Sequence, residues 1–350
     1  MVILGALVEN IPLEGLVANP YVKAIVRNVM FAAGFYITTR GYVFTRMAYY
    51  TLGRDLKALT RLLRTKYYMN KFRKQELSVA KAFKQMVKKH PNKVAFYFED
   101  EEWTFKELDI FSNKVANLIL DSGISAGDEV SLFMESKPEY VGIWLGLAKI
   151  GVISALINTN QKQDTLIHSI STVNSKALIY GSELQKSVND VFLTLHQKLN
   201  LQFFCFGAHK MNTSPLIKDM KKLVRESSDK EPSQIANGKF SDHLFYIFTS
   251  GTTGLPKAVI IKNSRYLFMS TVVKMMLGVR DDDVLYTCIP LYHMAGGAIG
   301  TGNCLVHGTS MAIRHKFSAS KFWSDCIKYN CTLNMWVNYA DIYSHNHRIN

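Results

Sequence analysis

From about residue 76 onward, short apolar runs alternate with stretches whose apolar residues recur every three or four positions. Val94–Phe98 reads as a strand, and Thr104-Phe-Lys-Glu107 forms a capping box that opens a helix through Leu118, stopped at Gly123. The pattern then predicts a strand at Glu129–Met134, a helix at Pro138–Ile150 and a strand at Val152–Ile157. A helix near 163–172, a strand at Ala177–Tyr180, a helix over 183–198 and a strand at Leu201–Phe206 continue it. Repeated β-α-β of this kind predicts an α/β domain with doubly wound, mainly parallel sheets. Residues 207–242 interrupt the rhythm with Pro215, a polar run and Pro232, and read as an exposed connection.

The first 75 residues follow another pattern. Residues 28–39 are an uncharged run of twelve between Arg27 and Arg40, and Met1–Val8 is apolar but ends at Glu9. Neither reaches the roughly 20 residues that a spanning helix needs. No secretory leader is expected, because no basic residue precedes the first apolar run and no clear small-residue cleavage site follows it. Leu52, Leu56, Leu59 and Leu63 recur at helical spacing while Arg54, Lys57, Arg61 and Arg64 take the other face. Such a basic amphipathic helix either lies in a lipid headgroup layer or packs its leucines on the domain behind it. Two later apolar stretches, residues 140–160 and 284–313, are divided by Gly151 and by Pro290 with several glycines, and read as buried α/β elements.

Charge sharpens this division. The chain has 350 residues with 42 Lys/Arg and 28 Asp/Glu, and residues 1–90 hold 16 of the cations but only four acids. The basic character therefore belongs to the N-terminal quarter, where it suits an anionic membrane surface; no nucleic-acid-reading motif accompanies it, so nucleic acid is not an expected partner. The five cysteines stand singly, with no Cys-x-x-Cys pair, which argues against a disulfide framework or a zinc site and for a reducing, cytosol-facing environment. The expected organisation is a membrane-associating segment over 1–75, the α/β domain over 76–333 and a divergent tail over 334–350.

The candidate chemistry lies where two strand-like runs, Leu244–Phe248 and Ala258–Ile261, flank Thr249-Ser-Gly-Thr-Thr-Gly-Leu-Pro-Lys257. A hairpin with this tip offers glycines that let backbone N–H groups approach an anion, hydroxyl donors and the charge of Lys257. It suits a phosphate chain. It lacks the Gly-Lys-Ser/Thr of a Walker A loop.

Tyr246-Ile-Phe-Thr-Ser-Gly-Thr-Thr-Gly-Leu-Pro-Lys257 resembles the phosphate-binding signature of the adenylate-forming, or AMP-binding, superfamily. Ser264-Arg-Tyr266, Leu291-Tyr-His293, Lys316-Phe-Ser-Ala-Ser320 and the Phe322–Thr332 segment resemble, more narrowly, the fatty acid transport protein or very-long-chain acyl-CoA synthetase family. The segment from Phe133 through Glu135 to Lys149 and Asn158-Thr-Asn160 fit the same family. The resemblance, over roughly residues 76–333, implies a two-step ligase. In it a fatty acid carboxylate attacks the α-phosphate of ATP with Mg2+, pyrophosphate leaves, and the thiol of coenzyme A attacks the acyl-adenylate. It places Tyr246, Ile247, Phe248, Thr249, Ser250, Gly251, Thr252, Thr253, Gly254, Leu255, Pro256 and Lys257 in the nucleotide site, and His293 beside the acyl and adenylate site, its alternative being a core histidine. For Arg265, Tyr266 and Trp323 the structural reading is preferred. Long-chain or very-long-chain fatty acid, a membrane of the endoplasmic reticulum or cell surface, and a second copy or full-length relative are the implied partners.

After Thr332 the resemblance stops. The adenine-side motif, the ribose-binding aspartate, the hinge and the lid with its adenylation lysine do not follow, so the chain is expected to be a truncated product of splicing or of an incomplete gene model. A non-catalytic, membrane-associated protein that binds fatty acid or a full-length relative is the competing expectation.

Overall fold

The computed structural model describes residues 20–39, 41–207, 214–249 and 254–335. The chain divides into two compact units at Arg61/Leu62. In the first unit lie α1 (Pro20–Thr38) and the beginning of α2 (Gly41–Lys74). No residue of α1 is buried, and in α2 only Thr65 is. Leu52, Leu56, Leu59 and Leu63 are all exposed. Among the described residues no helix is long and apolar enough to cross a membrane.

The second unit continues through α3 (Val79–Lys89), β1 (Val94–Phe98), β2 (Glu101–Thr104), α4 (Phe105–Asp121), β3 (Glu129–Phe133), α5 (Pro138–Lys149), β4 (Ile153–Leu156) and α6 (Gln163–Thr172). Then come β5 (Ala177–Gly181), α7 (Gln185–Asn189), α8 (Phe192–Leu199), β6 (Gln202–Phe206), β7 (Ile217–Asp219) and α9 (Met220–Glu226). The last group is β8 (His243–Thr249), β9 (Lys257–Lys262), α10 (Asn263–Leu277), β10 (Val284–Thr287), α11 (Thr301–His307), β11 (Ser310–Ile313), α12 (Phe322–Lys328) and β12 (Leu333–Met335). The capping box is formed: Glu107 N–H donates to Thr104 Oγ1 at 3.1 Å, and Thr104 N–H donates to Glu107 Oε2 at 2.8 Å.

Two sheets result, ordered β12-β10-β11-β1-β2 and β7-β6-β5-β3-β4-β8-β9. Each is parallel except for one antiparallel pair, β1 with β2 and β8 with β9. Side chains of the seven-stranded sheet alternate between two cores, as the period of two in a strand requires. Val130, Leu132, Ile179, Phe204, Phe245 and Ile247 join α4, α5 and α9 in one. Phe133, Leu178, Tyr180 and Phe203 join α6 and α8 in the other. The first core also takes Phe96, Leu285 and Met311 of the five-stranded sheet, so the two sheets share it. Lys149 is drawn into this interior, its side chain fully buried, where Nζ donates to Asp109 Oδ1 and Asn113 Oδ1 at 2.6 Å each.

Two expectations are corrected. The connection over 207–242 holds β7 and α9. Asp219 caps α9 by accepting from Lys222 N–H at 3.0 Å, which lets the helix form, and Met220 and Val224 are buried beneath its lysines. The single helix expected over 183–198 is broken into a 3-10 turn, α7 and α8.

Candidate functional site

The candidate hairpin is built by β8 and β9, with Thr249 directly opposite Lys257, Phe248 opposite Ala258 and Ile247 opposite Val259. Ser250, Gly251, Thr252 and Thr253 lie outside the described residues. Thr249, Gly254, Leu255 and Lys257 are exposed at the mouth of the hairpin. Gly254 has φ +86°, a left-handed conformation that an L side chain resists, and so turns the chain back into β9. Other signature side chains are engaged elsewhere. Ile247 is 3% exposed in the shared core, and Phe248 packs with the second core. Tyr246 donates its hydroxyl to Glu129 Oε1 at 2.5 Å, toward the start of β3; burial and then that carboxylate push the phenol up to about 12. These three offer the loop a rigid strand.

β8 is parallel to β4, and the hairpin loop leaves its carboxyl end. Ligands of open α/β sheets bind outside that end, where the connections to successive helices part. Here the carboxyl ends of the two sheets are tied across the shared core by three contacts. Leu291 N–H donates to Ser136 Oγ at 3.0 Å. The Tyr292 hydroxyl hydrogen-bonds Thr159, and His315 Nε2 pairs with the Glu135 carboxylate. Ser136, Thr159 and Glu135 follow strands of the larger sheet, whereas Leu291, Tyr292 and His315 follow β10 and β11 of the smaller. These contacts join the ends of the two sheets beside the turn that carries His293.

His293 sits in the turn that makes the first of these contacts. Its side chain is exposed, its N–H donates to Pro290 O at 3.0 Å, and its carbonyl accepts from Gly297 N–H at 2.7 Å. The turn folds onto a π-helical segment, Ala295–Gly300, a form frequent at functional sites. Gly297 permits this packing, since a methyl group there would stand 1.9 Å from Leu291 O. Tyr266 is buried with its hydroxyl 2.8 Å from Thr301 Oγ1, in keeping with a structural role, while Trp323 is exposed on α12. Burial pushes all five cysteine thiols up, so none is poised as a thiolate nucleophile.

Of the residues that join the sheet ends, Glu135, Ser136, Thr159, Leu291 and Tyr292 lay in segments singled out in the sequence, and nothing in them marked the pairs. His315 and His168, whose Nε2 lies 3.1 Å from Pro256 O, carried no signal at all.

Two mixed sheets that share a core, with the β8–β9 hairpin at the edge of the larger, define a doubly wound α/β fold. The sequence profile of the AMP-binding enzyme family matches residues 83–340, and the chain belongs to that family. It is 40% identical over 311 residues to human long-chain fatty acid transport protein 1, covering 87% of this chain and 48% of that protein. The chain thus spans about half the length of the curated relatives it matches. Among solved structures, the anthranilate CoA ligase AuaEII in complex with anthranoyl-AMP aligns with a TM-score of 0.67 at 20% identity, over 74% of this chain and 49% of that one. A Mycobacterium tuberculosis fatty acyl CoA synthetase aligns at 0.60 and 20% identity, over 75% and 49%. At such identities the two structures speak for the fold.

Proposed function

We propose that this chain carries the phosphate-binding part of a long-chain or very-long-chain fatty acid–CoA ligase coupled to fatty acid uptake. In the reaction a fatty acid carboxylate oxygen bonds to the α-phosphorus of ATP and pyrophosphate departs. The sulfur of coenzyme A then bonds to the acyl carbon and AMP departs. The observation that carries the reading is the hairpin itself, with Thr249 and Lys257 face to face at the mouth of a loop rich in hydroxyls and glycines. Thr249, Ser250, Gly251, Thr252, Thr253, Gly254 and Lys257 hold the phosphates by N–H, O–H and ammonium donors, and Lys257 offsets the charge that builds on departing pyrophosphate. His293 reaches the reacting carboxyl from the opposite sheet.

Among the described residues no group of three or more His, Cys, Asp or Glu side chains is able to hold a metal. Mg2+ prefers phosphate and water oxygens and would accompany the triphosphate as part of the substrate.

The test is fatty-acid-dependent exchange of labelled pyrophosphate into ATP by the purified chain. The expected result is exchange that falls about 10²- to 10³-fold in Lys257→Ala. No exchange from a folded chain would favour the competing reading, a non-catalytic binder of fatty acid or of a longer relative.

A membrane surface belongs to the same proposal, its domain facing the cytosol from the endoplasmic reticulum or plasma membrane. Residues 20–74 hold twelve Lys/Arg against the single acid Asp55, and exposed apolar side chains run the length of both helices. That combination suits the headgroup layer of an anionic bilayer.

A further inference from the structure

We infer that His168 of α6 is a positioning residue for the phosphate-binding hairpin, an inference that rests on the nucleotide reading above. β9 is the last strand of its sheet, held laterally by β8 alone. The chain enters it through Pro256, whose carbonyl oxygen lies 3.1 Å from His168 Nε2. A carbonyl only accepts, so Nε2 carries the proton. The same nitrogen is 3.4 Å from Thr172 Oγ1, whose own proton goes to His168 O at 2.7 Å. The Thr172 hydroxyl therefore turns a lone pair toward Nε2–H and fixes the ring one helical turn away. Because the Pro256–Lys257 peptide is planar, holding its carbonyl also fixes the Lys257 N–H and the direction in which the lysine leaves the backbone. Thus a helix that begins just past the Thr159 contact with Tyr292 also orients the cation at the loop's exit. His168 touches no phosphate in this arrangement; it acts through Pro256 and Lys257.

The experiment uses the full chain as wild type, His168→Ala, His168→Gln and Lys257→Ala. It measures MgATP affinity by calorimetry, thermal midpoint, and amide hydrogen exchange across residues 254–262. The expected result is an affinity about tenfold weaker in His168→Ala with an unchanged midpoint, the scale of one partly buried hydrogen bond. Exchange at Lys257–Ile260 rises in that variant. In His168→Gln, whose amide N–H reaches the same carbonyl, affinity returns to within about threefold of wild type. Unchanged affinity in His168→Ala, with Lys257→Ala impaired, overturns the positioning role and leaves the nucleotide reading intact. A loss of affinity matched by a fall in midpoint overturns it too, since that is what plain structural support predicts. A wild type that binds no better than Lys257→Ala overturns the nucleotide reading and the positioning role with it, while hydrogen exchange still reports the tether separately.

Discussion

Helices α1 and α5 are alike in composition and opposite in burial. Each begins at a proline, Pro20 and Pro138, and each is mainly apolar with two charged residues. Yet α5 buries ten of its twelve residues and α1 none of its nineteen. Trp144 of α5 is 1% exposed, enclosed by Phe245 and Tyr266; Phe31 of α1 is 78% exposed. An apolar residue stabilises a fold only when another surface removes it from water, so the same kinds of side chain act as core in one helix and stay exposed in the other.

The largest test of that contrast is truncation in both helices. Trp144→Ala is expected to cost about 3–5 kcal/mol of stability in urea titration, against less than about 0.5 kcal/mol for Phe31→Ala. Equal costs would show that α1 is also packed. Next comes the charge that α5 carries inward: Lys149→Met should cost about 3 kcal/mol, the low end for breaking a buried pair, because Asp109 keeps some contact with water.

A buried titrating group gives the third test. His307 at the end of α11 is pushed down to about 3, chiefly by burial and then by Lys274, with Asp281 opposing. The unfolded chain takes up that proton near pH 6.5 and the folded chain does not. Stability from this residue is therefore present above about pH 6.5 and lost as pH falls toward 3, at up to about 1.4 kcal/mol per pH unit. His307→Gln should flatten the slope; an identical slope would assign the acid sensitivity elsewhere.

The smallest effect on stability belongs to the exposed face of α2. Leu56→Glu with Leu59→Glu should leave the unfolding midpoint unchanged, yet lower partition onto anionic vesicles about tenfold or more. Unaltered partition would remove these leucines from the membrane contact.

The contrast also explains what was legible in the sequence. β1, β3, α5 and the β8–β9 hairpin follow from local period, caps and turns, and their bounds moved by a residue at most. The break between α7 and α8 and the burial of α9 did not, because Asp219 and two apolar residues in a lysine-rich run are a weak signal beside the surfaces they meet. The loop was legible as a candidate, from its density of hydroxyls and glycines before Lys257. Its frame was not: Ser136 with Leu291, Glu135 with His315 and His168 with Pro256 join residues 155, 180 and 88 positions apart, and no local pattern encodes such pairs.

The smaller sheet has a consequence in time. β1 takes β11 as its parallel neighbour, and Val94 accepts from the Ser310 hydroxyl 216 residues later. At synthesis rates of roughly 5–20 residues per second, β1 is made roughly 10–40 s before that neighbour exists. Until then β1 has only the short β2 beside it, and one side of a strand as apolar as Val94–Phe98 is open to other chains. Contacts of such long sequence separation make folding slow. For this protein, yield in the cell should therefore depend on what shields β1 during that interval as much as on the stability of the finished fold.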